Sequence, residues 1–314
     1  MSLKWSLRFI YSGILTIITS CSSYQAHVGR ASNRIDEDLS PSRGPVILVS
    51  GGPALGRYIN TLGALLKSDF EVVEYAQIGT LDNLEPLHAD VISQMVEQLH
   101  LVITANSNNK KPVIVGHSWG AVLGLIYTER YPESLSGLNI VSSGILNSEI
   151  RNQFEKTILC RLSRSERLQR TFLYDELGKT SDETQRNLIG SKIFNLILKT
   201  YNNDTSRSLL PTELSWKIDS SITISKATRN WIELQPLKER FRSTLFPVSI
   251  FHGDKDPIPY QQTIEVYKSI FKNPRIDIYR DAGQFLWLEP FAKDQFIIDI
   301  KKAIHSQFDE DKSS

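Results

Sequence analysis

One serine stands where its hydroxyl could act as a nucleophile. In Val113-Ile114-Val115-Gly116-His117-Ser118-Trp119-Gly120 a β-branched run ends in a serine with glycine two positions away on each side. An apolar helical stretch, Ala121 to Tyr131, follows at once and stops at Pro132. A strand that turns directly into a helix leaves room only for small residues at the flanking positions, and Gly116 and Gly120 meet that demand. Ser118 is thereby pushed out at the strand end, close to a helix N-terminus, in the arrangement of a nucleophile elbow. Upstream, the apolar strand Pro45 to Ser50 runs into Gly51-Gly52-Pro53-Ala54. Acyl transfer needs backbone N–H groups aimed at the oxygen that becomes negative, and glycine lets backbone come that close. Pro53 has no N–H to offer.

The elements that must position these residues alternate strand and helix. A helical period over Arg57 to Leu66 is followed by a strand at Phe70 to Tyr75. A long amphipathic segment comes next, His88 to Ala105, with Val91, Met95, Leu99 and Val102 on one face. His88 and His100 read as ordinary helix residues. After the elbow helix, Gly137 to Ser142 supplies a further strand. This rhythm predicts an α/β fold with a mainly parallel sheet flanked by helices. The rhythm then breaks: Arg151 to Leu162, Ser165 to Leu177, Asp182 to Thr200 and Ser225 to Phe241 are all helical in pattern. Strands return at Thr244 to Phe251 and Ile276 to Tyr279. A closing helix, Glu289 to Ser306, turns Phe291, Phe296, Ile297, Ile300 and Ile304 to the core. The expected core is residues 45–146 and 244–306, with a helical cap, 147–243, inserted after the strand that follows the nucleophile helix. Residues 307–314 are expected to be a disordered tail.

On these residues the chain resembles the α/β-hydrolase superfamily. Gly-Gly-Pro followed downstream by Gly-His-Ser-Trp-Gly is most like the proline iminopeptidase group, whose oxyanion loop reads H-G-G-P-G; here Ser50 replaces the leading histidine and Ala54 the last glycine. The resemblance implies that the N–H groups of Gly52 and Trp119 form the oxyanion hole. Ala76-Gln77-Ile78-Gly79 is faintly similar to that group's D-Q-R-G turn, with the aspartate and arginine both absent. The strand ending in His252-Gly253-Asp254-Lys255-Asp256 resembles the G-x-x-D turn that delivers the triad acid. It maps that role onto Asp256, with Asp254 as a structural partner and His252 as a packed strand-end residue. The activity implied is acyl transfer to Ser118 followed by hydrolysis, releasing an N-terminal residue from a short peptide or cleaving a related small amide or ester. Trp216, Trp231, Phe154, Phe172 and Tyr201 are candidates to line a pocket under the cap. Glu213, Glu233 and Asp175 are candidates to hold a free amine, and none of the eight is singled out.

One part of the machinery is missing. The last strand leads into Ala282-Gly283-Gln284-Phe285-Leu286-Trp287-Leu288-Glu289-Pro290, where the family reads A-G-H-F, an apolar pair and Glu-x-Pro. Position 284, where the histidine base is expected, is glutamine. A primary amide does not titrate near neutral pH and cannot take the serine proton and return it to a leaving group. Three explanations stand open. Gln284 is an introduced substitution that traps substrate, or it is natural and the pocket binds without catalysis, or another histidine serves. Against the last, His27 falls in the tether, His305 in the closing helix, and His117 should point away from the pocket. A membrane-tethered pseudohydrolase is therefore the alternative to an impaired serine hydrolase, and an acyltransferase or haloperoxidase also remains open.

Composition bounds the partners. Thirty-six lysines and arginines offset 35 aspartates and glutamates over 314 residues, so nothing suggests a nucleic-acid partner, and a small molecule or short peptide is the expected substrate. No cofactor is implied: there is no close cluster of metal-ligating residues and no phosphate-binding glycine loop. Residues 1–20 carry Lys4, Arg8 and the apolar run Leu7 to Thr19, the pattern of a secretory signal. Ile18-Thr19-Ser20-Cys21 resembles the lipobox of bacterial lipoproteins, which implies an acylated Cys21 and outer-membrane anchoring. A plain signal peptide or a tilted anchor is the other reading. With Cys21 lipidated, Cys160 has no partner and no disulfide is expected. Residues 21–44, rich in serine, glycine and charge, read as a flexible tether.

Overall fold

A computed structural model describes residues 43–205, 209, 214, 216–241 and 245–311. The signal, lipidation and tether readings over residues 1–42 lie outside the described residues, as does Glu213. No helix among the described residues is long and apolar enough to cross a membrane.

Six strands form one sheet in the order β2-β1-β3-β4-β5-β6, and every pairing is parallel. They are β1 (Val46–Val49), β2 (Val72–Glu74), β3 (Val113–Ser118), β4 (Gly137–Ser143), β5 (Val248–Gly253) and β6 (Arg275–Tyr279). Parallel neighbours require crossovers, and α1 (Asn60–Leu66), α2 (Val91–Asn106), α3 (Trp119–Arg130) and α9 (Tyr260–Ile270) supply them. Alternation along the strands divides the core. Ile47, Val49 and Ile114 pack with Met95, Leu99 and Ile126 on one face. Val46, Leu48, Val113 and Val115 pack with Leu62, Leu66, Phe296 and Ile300 on the other. Both faces are apolar because both are covered by helix.

Between β4 and β5 the described residues form α4 (Ser148–Arg161), α5 (Arg164–Lys179), α6 (Glu183–Leu198), a 3-10 turn (Lys199–Tyr201), α7 (Ile218–Leu234) and α8 (Leu237–Arg240), with one isolated bridge, Leu55 to Trp216. The helical patch expected over Ser225 to Phe241 is two helices, because Pro236 interrupts it and α7 starts earlier, at Ile218. Side-chain caps set several starts: Asp90 accepts from Ser93 N–H at α2, Asn147 from Ile150 N–H at α4, and Ser163 with Glu166 makes a capping box at α5.

The closing helix α10 runs from Lys293 to Asp311, so the boundary expected at 306 falls inside it. Gln307 and Phe308 are buried: Gln307 Nε2 donates to Asn139 Oδ1, and Phe308 packs beside Phe70. Phe291 corrects a second expectation. It precedes the helix, so helical spacing does not govern it, and it is 85% exposed.

Two glycines of opposite surroundings test how tightly this frame is packed. A Cβ at Gly120 would lie 2.1 Å from Val49 O, whereas one at Gly178, late in α5, would meet nothing within 4 Å. Gly120→Ala is expected to destabilise the protein by about 2 kcal/mol or more, and Gly178→Ala to stabilise it by about 0.5 kcal/mol, both read from urea unfolding midpoints.

Candidate active site

The site is built at the carboxyl end of β3. Ser118 is the last residue of that strand and the N-cap of α3, with φ +53° and ψ −124°. Side chains at the flanking positions would collide with the turn: a Cβ at Gly116 would sit 2.6 Å from Ala121 Cα, and Gly120 meets Val49 O as described above. The Ser118 carbonyl accepts from Gly144 N–H at 2.8 Å, which ties the elbow to the end of β4.

The glycine loop after β1 lies directly against the elbow. A Cβ on Gly51 would fall 2.8 Å from Ser118 Cβ, and Gly52 has φ +135°, a conformation glycine adopts freely. Several side chains hold this loop. Gln77 Nε2 donates to Ser50 O at 2.8 Å, Trp216 Nε1 donates to Pro53 O at 3.0 Å, and Gly51 N–H donates to the Tyr58 hydroxyl at 2.9 Å. Trp119 N–H is the first of α3, where the helix offers it no carbonyl. The Trp119 indole donates to Thr228 Oγ1 of α7 at 3.0 Å.

Gln284 meets the serine. Its Nε2 donates to Ser118 Oγ at 2.8 Å, and the residue is 1% exposed. Its Oε1 is buried and accepts no hydrogen bond among the described residues. The segment around it is fixed from both sides: Gln284 N–H donates to Tyr201 O at 2.9 Å, while Glu289 Oε1 accepts from Gly283 N–H at 2.8 Å and Asn203 N–H at 2.9 Å. This glutamate, the acid of the Glu-x-Pro stretch, is a clamp between the insertion and the segment that carries Gln284.

The turn bearing Asp256 adjoins the same segment, with Lys255 N–H donating to Ala282 O at 2.9 Å. Asp256 is 7% exposed; its Oδ1 accepts from Ile258 N–H at 2.8 Å, and its Oδ2 lies 3.3 Å from His252 Nε2. Burial raises the Asp256 carboxyl well above the usual carboxylate range, against the opposing pull of Ile258 N–H, the Arg161 guanidinium and the Ser142 hydroxyl. Arg161, from the end of α4, donates to Lys255 O at 2.6 Å and to Thr200 O at 2.5 Å. Asp254 accepts from Asp281 N–H at 2.7 Å, a turn-closing contact.

None of the five described histidines hydrogen-bonds Ser118. His117 points back under the elbow, 2.6 Å from the Tyr58 hydroxyl through Nδ1 and 3.1 Å from Gln284 O through Nε2. His252 is packed at the end of β5, 3.1 Å from Ile258 O. His100 stacks on Tyr131 at 4.0 Å, and His88 lies on the surface. Among the described residues no group of three or more histidines, cysteines, aspartates or glutamates could hold a metal. Phe172 is 60% exposed, Trp231 turns to Glu129 and Arg240, and Asp175 pairs with Lys179 on the surface. Tyr58, Gln77, Arg161 and Glu289 carry the support, and spacing along the chain gives no signal for the first or the third of them.

Comparison with known proteins agrees with this architecture. The family model described as the alpha/beta hydrolase fold matches residues 44–290. The protein named "Putative carbamate hydrolase RutD" of Cronobacter sakazakii is 30% identical over 124 residues, 39% of this chain and 46% of that protein; its Escherichia coli counterpart is 33% identical over 112 residues, 35% and 41%. The chain thus spans less than half the length of these curated relatives. Among solved structures, VinJ has a TM-score of 0.60 at 16% identity, covering 86% of this chain and 93% of that one. A proline iminopeptidase of Mycobacterium smegmatis has 0.57 at 17%, covering 86% and 92%. These structural likenesses concern the fold.

The buried histidines make acid stability a test of the site's packing. Burial pushes His117 down to about 3 and His252 to about 4, so both are neutral in the folded protein. The unfolded chain protonates them near about pH 6.5. Between there and the folded values the unfolded state binds more protons, so stability falls as pH is lowered, by up to about 1.4 kcal/mol per unit for each histidine. Asp256 has the opposite sign: its raised carboxyl contributes stability at low pH that is lost as pH rises through its folded value. Urea unfolding from about pH 7 down to 4.5 is expected to show falling stability, and Asp256→Asn to steepen the fall.

Proposed function

The chain belongs to the alpha/beta hydrolase fold family, and on that premise we propose that it is a serine hydrolase whose general base is absent from this sequence. The observation that carries the reading is the 2.8 Å contact between Gln284 Nε2 and Ser118 Oγ, which makes position 284 the partner of the nucleophile. Ser118 Oγ attacks an acyl carbon, and the oxygen that becomes negative is received by the N–H groups of Gly52 and Trp119. Asp256 is the acid that orients and stabilises an imidazolium at 284 when histidine is there. With glutamine at 284 the serine proton has no acceptor and the leaving group no donor. Loss of the base alone lowers turnover by about a millionfold, roughly 8 kcal/mol of barrier.

The substrate is a small amide or ester, with an N-terminal proline amide the first candidate. The Gly-Gly-Pro and Gly-His-Ser-Trp-Gly stretches support this, as does the likeness to a structure named as a proline iminopeptidase. Helices α4 to α8 act as the cap that selects it, since Trp216 and Thr228 reach the oxyanion loop and Trp119. Cys21 carries a lipid anchor that holds the enzyme at the bacterial outer membrane. The second reading is a tethered binding protein that uses the same pocket without turnover. It is favoured by the burial of Gln284, which fills the base position without leaving it open to solvent.

Residues 22–314 are to be assayed beside Gln284→His on proline aryl-amides and short aryl esters, with Ser118→Ala as control. The histidine variant is expected to turn over at least a thousandfold faster than the glutamine form, and serine removal to abolish the gain. Equal background rates in all three would overturn the hydrolase reading and favour the binding protein.

A further inference from the structure

We propose that Tyr58 and His117 are positioning residues: a single buried hydrogen-bond chain, Gly51 N–H to Tyr58 to His117 to the Gln284 carbonyl, sets the oxyanion loop and the base segment relative to the nucleophile. The inference rests on the reading of Ser118 as nucleophile and Gly52 as oxyanion donor, and extends it to residues that touch neither substrate nor reacting atoms.

The direction of the chain follows from its ends. Gln284 O is a carbonyl oxygen and can only accept, so His117 Nε2, 3.1 Å away, carries the ring proton. His117 is neutral, so its Nδ1 is bare and accepts from the Tyr58 hydroxyl at 2.6 Å. The Tyr58 oxygen, having given its proton to the ring, keeps its lone pairs for Gly51 N–H at 2.9 Å. Every donor meets an acceptor in one orientation only, and the tautomer of His117 is thereby fixed. Water does not compete with these contacts. Tyr58 is 4% and His117 1% exposed, and Phe285 and Trp287 pack on the His117 ring at centroid distances of 5.4 and 4.8 Å.

The chain joins three segments far apart in sequence. Gly51 belongs to the loop against Ser118, His117 is the residue before Ser118, and Gln284 is the residue whose side chain meets Ser118 Oγ. A rotation of the His117 ring would therefore move the loop and the 284 backbone together. That is the requirement for a hole and a base that must converge on one oxygen and one proton to a fraction of an ångström.

Half-replacements of the imidazole separate the two arms. His117→Asn keeps an acceptor near the position of Nδ1 and loses the reach to Gln284 O. His117→Gln keeps a donor near the position of Nε2 and leaves the Tyr58 hydroxyl without its acceptor. Amide hydrogen exchange is to be measured on the full chain for these two variants and Tyr58→Phe, and kinetics for each in the Gln284→His background. Exchange at Gly51 to Leu55 is expected to rise at least tenfold in Tyr58→Phe and His117→Gln. In His117→Asn the rise should appear instead at Gly283 to Leu286, with β1 amides unchanged in all three. Where Gln284→His turns over, kcat should fall ten- to a hundredfold with KM changed less than threefold. Unchanged exchange in both segments, or loss of protection spread evenly through β1, overturns the proposal. An inert Gln284→His protein counts against the hydrolase reading alone, because the exchange pattern still decides whether the chain positions these segments.

Discussion

Ser118 holds its backbone at φ +53° and ψ −124°, a sparsely populated conformation that costs a residue with a Cβ roughly 1–3 kcal/mol, and the rest of the site depends on that conformation being held. The surroundings do the holding. β3 and α3 meet so closely that only glycine fits at 116 and 120, and Gly144 N–H fixes the Ser118 carbonyl to the next strand. With the backbone so constrained, the hydroxyl is presented above the sheet. The side chain before it, His117, goes the other way into an aromatic box formed with Tyr58, Phe285 and Trp287. One turn thus places the Ser118 hydroxyl on one side and a hydrogen-bonding hub on the other.

The supports for the remaining parts come from across the fold. The acid turn and the segment carrying Gln284 are joined by backbone contact, and Arg161, Tyr201 and Glu289 fasten both to the helices between β4 and β5. The segment around Gln284 is fastened by backbone groups and by Glu289 rather than by the side chain at 284. The amide reaches Ser118 and fills the position. A primary amide has no nitrogen that titrates near neutral pH.

Local chemistry was legible in the sequence, and its support largely was not. Gly116, Ser118 and Gly120 announce the elbow because the sterics of a tight turn leave few alternatives. The parallel sheet follows from β-branched runs alternating with helical periods. Tyr58 gave no signal: it lies in a helical-looking stretch, and its role depends on a histidine 59 residues away. Gln77 lies in a stretch with little likeness to a known turn, yet it braces the glycine loop at Ser50 O. Helix ends depart from the apolar period where a cap or a proline outweighs it, as at Asp90 and Pro236. A helical period points Phe291 to the core but does not apply to the turn it occupies, and the final helix extends further because Gln307 and Phe308 have buried partners.

Under the proposed reading Ser118, the glycine loop and Asp256 are already in place and only the base is missing. The most direct measurement is the rate at which a fluorophosphonate labels Ser118, followed by intact mass and peptide mapping in the protein with glutamine at 284 and in Gln284→His. Such a reagent needs the activated serine and the oxyanion hole and does not depend on the true substrate. Label is expected at Ser118 alone, forming at least a thousandfold faster with histidine at 284. Equal rates would mean that another group already serves as base, and no labelling of the histidine variant would mean that the site is not preformed.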